Sequence, residues 1–265
     1  MSKRLSCLSF LLILAIATVA QAQHFDVFVA TSGSDTVGGG FNLDTDEITV
    51  GNPRVFEAEM GDIGTMFIAD EPGFAHPASD MDLPGGVDSL TMGDEIFVRP
   101  LDVTDQGMTA PLFFWSPADV NDTSVAFAPA ATTTFNIRTD FPNQSIGTAG
   151  AGGGFDDHPF FELEDNGALP DVGIYLASFE HEVGGFGAAP QSYIVMGTEG
   201  LITADFLGIT QDEFDMLSDD DIDEALEGVI ELGVDYVSAN IVPEPSALGL
   251  ASLSVLALLM LRRRS

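Results

Sequence analysis

The chain has 265 residues, with 42 acidic side chains against 8 Lys and Arg and a formal net charge of −34. Such acidity repels nucleic-acid phosphates and anionic lipid, which excludes a polyanion-binding role. A hydrophobic content of 45% with 20 Phe excludes a disordered acidic chain, and the length is enough to bury a sizeable core.

Residues 1–22 read as a secretory signal peptide. Lys3 and Arg4 give the positive start, Phe10 to Val19 the apolar run, and Ala20-Gln21-Ala22 the small-x-small cleavage site. The single cysteine, Cys7, lies inside this leader, so cleavage after Ala22 leaves a body without disulfides or thiol chemistry. Signal peptidase is therefore an expected partner during export.

Residues 23–200 carry short alternating runs rich in Phe, Val, Ile and Thr, broken by Gly, Pro, Asn and Asp. Such runs read as strands. They are His24–Val29, Thr65–Ala69, Glu95–Val98, Leu112–Trp115, Ser124–Ala128, Thr132–Arg138, Phe160–Glu164, Val172–Glu182 and Ser192–Met196. The spacing predicts a mainly β domain, an antiparallel β-sandwich or jelly-roll-like fold. GIYLASFEHEV is the expected central strand and QSYIVM its partner. Trp115 reads as core, and Arg54, Arg99 and Arg138 as ion-pair residues at strand edges.

Two groups of residues within the body have the chemistry of cation ligands. Asn42, Asp44 and Asp46 have the alternate oxygen spacing of a calcium loop, although Glu47 and Pro53 stand where an EF-hand needs glycine and a bidentate Glu. Among the four histidines, His24 shares a strand face with Asp26, His158 follows two aspartates, and His181 lies between Glu180 and Glu182. His24, Asp26, His158 and His181 would form a zinc-type site if the fold brought them together. The alternative reading for each histidine is a solvent-facing imidazole.

From residue 201 to 237 the pattern becomes helical. Thr210-Gln211-Asp212-Glu213 is a capping box, and Ser218 followed by three aspartates is a second helix start. These predict two short helices, with Gly233 as a C-cap and residues 238–241 as a linker. Asp219, Asp221 and Asp223 repeat the alternate-oxygen spacing but are accounted for as helix-start residues.

Residues 242–265 combine Val242-Pro243-Glu244-Pro245, an apolar segment from Ser246 to Leu261, and Arg262, Arg263 and Arg264. The apolar segment is about 24 Å long as a helix, and the arginines would hold its end in the cytoplasm. This order of motif, transmembrane helix and arginine cluster resembles the PEP-CTERM sorting tail of exported bacterial proteins. The resemblance implies recognition by an exosortase, an inner-membrane-anchored intermediate, and delivery to the cell surface or an exopolysaccharide matrix. The body is similar to a family of exported all-β PEP-CTERM proteins through HFDVFV, EPGF at 71–74 and DDHPFFEL, GIYLASFE and PQSYIVM. Some of that family are associated with zinc-responsive regulation. Where the family pattern favours a paired histidine before the late strand, this chain has His158 alone.

No nucleophile elbow, H-E-x-x-H zinc motif or phosphate-binding P-loop occurs in the chain. The expectation is thus an exported, surface-sorted, non-catalytic structural or matrix-associated protein without an assured cofactor. The alternative is a surface or periplasmic protein binding Zn2+ or Ca2+. A secreted polysaccharide hydrolase with two carboxylates is the third reading.

Overall fold

A computed structural model describes residues 25–42, 45–78 and 83–242. The expected leader, His24, Asp44 and the sorting tail from Pro243 onward lie outside them.

The first strands in chain order are β1 (Asp26–Ser32), β2 (Asp35–Asn42), β3 (Glu47–Val50), β4 (Val55–Asp62), β5 (Met66–Ala69) and β6 (Phe74–His76). There follow β7 (Glu95–Leu101), β8 (Val103–Asp105), β9 (Met108–Ala110), β10 (Phe113–Trp115), β11 (Ala128–Pro129) and β12 (Thr134–Arg138). The last are β13 (Ser145–Thr148), β14 (Phe155–Asp157), β15 (Phe160–Glu164), β16 (Ile174–Val183) and β17 (Ser192–Thr198). Helices α1 (Ala204–Leu207), α2 (Gln211–Phe214) and α3 (Asp219–Asn240) close the described chain. The fold is mainly β.

One sheet has the order β14-β6-β1-β2-β3. Its strand β1 is buried on both faces, which explains why its middle, Val27 to Ala30, is apolar at every position. Val27 and Val29 face the main core, while Phe28 and Ala30 join Phe41 and Ala75 on the other side. The larger sheet runs β11-β10-β16-β17-β4-β5-β15-β12, with β7 and β13 attached to the edge of β16. Six of the ten residues of β16 pair with β17 along one edge, from Ile174 opposite Gly197 to Phe179 opposite Ser192. Its other edge is divided between β10 at residues 174–176 and β7 at residues 178–183. Most pairs are antiparallel, but β1 with β6 and β17 with β4 run parallel.

Aromatic contacts tie the two sheets together. Phe74 of the smaller sheet meets Phe179 of the larger one edge-on, with ring centroids 5.6 Å apart. Trp115 is buried beside Phe127, as its position in LFFW suggests. The other face of the larger sheet is covered by α3. Leu226, Val229, Ile230 and Val237 recur at helical spacing and pack with Val55, Ile174, Leu176 and Val195. Burial of each such side chain contributes roughly 1.5–3 kcal/mol.

The predicted capping box on Thr210 with Glu213 is present, and the predicted helix start at Ser218 is also a capping box, made with Asp221. The second helix, however, is 22 residues long, and it absorbs residues 238–240 of the expected linker. Gly233 does not cap it. A Cβ there would lie 2.8 Å from Val195 Cγ1, so the glycine lets helix and sheet approach closely. The run Ser124–Ala128 also departs from expectation, since only Ala128 with Pro129 forms a strand. Among the described residues no helix is long and apolar enough to cross a membrane, and the expected transmembrane segment lies outside them.

The three arginines of the body are all engaged. Arg99 bonds Glu180 and Glu182 across the β7–β16 pair. Arg138 pairs with Glu162 at 2.8 Å and lies over the Phe160 ring. Arg54 donates to the Gln191 carbonyl, rather than forming the expected ion pair.

Candidate metal centre

Strand order dictates which residues meet at one end of the smaller sheet. Parallel pairing sets Val27 opposite Phe74, and the Val27 N–H donates to the Gly73 carbonyl at 2.8 Å. Asp26 at the start of β1 therefore lies against the turn Glu71-Pro72-Gly73. On the other edge of β6, antiparallel β14 sets Asp157 opposite Phe74, so the next residue, His158, emerges beside the same turn. Three segments far apart in sequence thus converge.

One ligand atom each from Asp26, Glu71 and His158 lie within 4.8 Å of one another. The Gly73 N–H donates to Asp26 Oδ1 at 2.9 Å and to Glu71 Oε2 at 3.1 Å, which fixes both carboxylates. Glu71 Oε1 lies 3.6 Å from His158 Nδ1. Only glycine fits at position 73, because a Cβ would lie 2.6 Å from the His158 ring and 2.8 Å from Asp26 Oδ1. His158 Nδ1 lies 3.0 Å from the Asp70 carbonyl oxygen. A carbonyl only accepts, so Nδ1 carries the hydrogen and Nε2 presents its lone pair. An imidazole oriented through its other N–H by a backbone carbonyl is the usual preparation of a metal-ligating histidine.

Electrostatics support the same reading. Asp26 is 4% exposed, and its Oδ2 has no hydrogen-bond partner among the described residues. Burial, reinforced by the Glu71 carboxylate, pushes the Asp26 pKa up to about 6, against the opposing pull of His158 and the Gly73 N–H. Burial also works against a charged His158. The Asp70 carbonyl and the carboxylates of Glu71, Asp26 and Asp156 outweigh it, so the pKa of His158 lies above the ordinary value. A buried carboxylate oxygen without a partner is costly, and a cation is a group that would satisfy it. Two carboxylates and one imidazole fit a divalent ion, and the nitrogen ligand favours a transition metal over calcium.

The structure brings Asp26 and His158 together and leaves His181 out. In β16, Glu180 and Glu182 face outward to Arg99, so alternation turns His181 inward. It is fully buried rather than solvent-facing, 5.9 Å from the Phe74 ring between centroids. It fills a slot made by Gly38, where a Cβ would approach its ring to 2.6 Å. Among the described residues neither ring nitrogen has a hydrogen-bond partner of good geometry, and burial depresses its pKa to about 4. His76 is likewise structural, with Nδ1 2.7 Å from the Val29 carbonyl oxygen and its ring stacked on Phe28. His24 lies outside the described residues.

At the expected calcium loop, Asn42 is buried and its Oδ1 accepts the Thr45 N–H at 2.9 Å, an Asx turn of the chain itself. Asp46 is exposed at φ 56°, and Asp44 lies outside the described residues. Sequence reasoning missed Glu71. Its only signal was the EPGF motif, since nothing in the spacing relates a turn at 71–73 to Asp26. A groove of about 260 Å³ between β4 and α3 shares Glu71 with the Asp26–Glu71–His158 group and is also lined by Glu57, Glu59, Asp70, Asp223 and Glu227.

A scan of family models finds none that matches the chain, and no curated protein matches it.

Proposed function

We propose that this chain is an exported, surface-delivered β-sandwich protein that works without catalysis and carries one divalent-cation site at Asp26, Glu71 and His158. The observation that carries the cation site is the convergence of the buried Asp26 carboxylate, whose Oδ2 has no hydrogen-bond partner among the described residues, with a second carboxylate and an oriented imidazole. Zn2+ is favoured over Ca2+ by the imidazole ligand. Export and delivery rest on the resemblance of residues 242–265 to a sorting tail and of residues 1–22 to a signal peptide. Structural or matrix-associated duty fits a body with no catalytic motif, and exopolysaccharide is its expected surrounding.

Equilibrium dialysis of the purified chain against zinc and calcium tests the cation site. One zinc per chain is expected, with Asp26→Asn weakening it by about 100-fold or more; absence of stoichiometric zinc overturns this part of the proposal. Deleting Val242–Ser265 is expected to release the protein into the medium, and unchanged surface retention would refute sorting by the tail.

A further inference from the structure

Resting on the export reading above, we propose that Asn121 is an acceptor for an N-linked glycan, transferred from a lipid-linked oligosaccharide once the chain has left the cytoplasm. The triplet Asn-x-Ser/Thr, with x other than proline, is the acceptor pattern for this modification in exported chains. The chain holds it twice, as Asn121-Asp122-Thr123 and as Asn143-Gln144-Ser145. The fold treats the two triplets differently, and it leaves only the first open.

Asn121 lies in the connection from β10 to β11, which forms neither helix nor strand. Asn121 and Thr123 are both exposed. Asp122 between them is turned back on the chain, accepting the Ala118 N–H and the Ser124 N–H, each at 3.0 Å. Asp119 Oδ1 accepts the backbone N–H of Asn121 at 2.8 Å. The Val120 N–H donates to the Phe206 carbonyl at 3.2 Å, which anchors the connection on α1. The backbone is thus held, while the Asn121 carboxamide and the Thr123 hydroxyl make no hydrogen bond among the described residues. At the second triplet Asn143 is exposed, but Ser145 is 2% exposed and pairs opposite Phe97 in the ladder of β13 and β7. Its hydroxyl is closed off in the folded protein.

The transfer is a substitution at an anomeric carbon. Asn121 Nδ2 forms a bond to C1 of the reducing-end sugar, and the bond from C1 to the pyrophosphate oxygen of a polyprenyl carrier breaks. The polyprenyl pyrophosphate leaves with the bonding pair, and the proton lost from Nδ2 passes to a basic group of the transferase. Nothing is oxidised or reduced. A carboxamide nitrogen shares its lone pair with the carbonyl and is a poor nucleophile, so it reacts only when held in place. The hydroxyl two residues on is the handle that holds it, and both side chains must be reachable at once. Asn121 with Thr123 meets this condition, and Asn143 with Ser145 does not.

Producing the full chain in bacteria that hold an asparagine-specific oligosaccharyltransferase and its lipid-linked oligosaccharide tests the assignment. One form keeps residues 1–22, and a second carries an established export leader in their place. Peptide mass spectrometry reads which asparagine gains the mass of the glycan. The expected result is a glycan on Asn121 in both forms and a bare Asn143. The glycan is lost in Asn121→Gln and Thr123→Ala and kept in Thr123→Ser. A bare Asn121 behind the established leader overturns the acceptor assignment. A glycan present behind that leader but absent behind residues 1–22 overturns export by the native leader and leaves the assignment standing. Equal modification of Asn143 overturns selection by the fold. Asn121 and Thr123 are surface residues, so their variants keep the fold, which circular dichroism verifies.

Discussion

Two histidines of this protein sit behind the same kind of door and meet opposite surroundings. His158 packs against Gly73, and His181 against Gly38; in each case an added Cβ would come within 2.6 Å of the ring. His158 looks onto Asp26, Glu71 and Asp156, half in water, and its pKa is raised. His181 looks onto Phe74 in a dry interior, and its pKa is pushed down to about 4. The lesson is that glycine supplies only space. Whether the space makes a cation site or a packing joint depends on what lines its far wall.

The largest expected effect lies in how stability changes with pH. A base whose folded pKa is depressed takes up a proton more readily unfolded, so the contribution of His181 is complete above about pH 6.5 and is lost as pH falls toward 4. The loss is on the order of 3 kcal/mol. Asp26 has the opposite sign. Its folded pKa is raised, so in metal-free protein its contribution is present below about pH 4 and is lost as pH rises through 6. The two slopes oppose each other between pH 4 and 6. Urea titrations across this window should show a shallow dependence for the metal-free wild type. His181→Phe should show stability falling with pH, and Asp26→Asn stability rising with it. Parallel curves for all three proteins would end the contrast.

Smaller effects separate the glycines. Gly73→Ala is expected to weaken zinc binding by about tenfold and to cost about 1–3 kcal/mol as His158 is displaced. Gly38→Ala should cost a similar amount of stability while leaving zinc affinity unchanged. Thermal melts with and without zinc check both, and equal loss of affinity in the two variants would contradict the separation. The smallest effect is expected from salt. Mutual repulsion of the carboxylates is screened within about 10 Å at 0.1 M, so the melting temperature should rise modestly from low to molar NaCl. A flat or falling midpoint would show that the fold tolerates its charge without screening.

Much of the sheet was legible because the residues that form it are typical of strands. The runs GIYLASFEHEV and QSYIVM, rich in β-branched and aromatic residues, mark β16 and β17, and Thr210 and Ser218 announce their helices by side-chain caps. β2 was not legible, because Gly38-Gly39-Gly40 signals a loop. The strand exists because neighbours press on it, and a Cβ on Gly39 would lie 1.8 Å from the Thr49 carbonyl oxygen. The site was half legible for a related reason. Asp26 and His158 carry metal-ligand chemistry in their identity, whereas Glu71 acquires it only from the strand order β14-β6-β1. The inward turn of His181 was implied by alternation with Glu180 and Glu182, but its burial depends on the second sheet.

The engagement of every body arginine has a consequence for how copies of this protein meet. Arg54, Arg99 and Arg138 each hold a partner within their own chain, and the body has no lysine. Among the described residues, therefore, no cation is spare to greet an acidic neighbour. Two such particles behave as like-charged colloids, kept apart in dilute electrolyte, and they come together only where multivalent counterions collect between their faces.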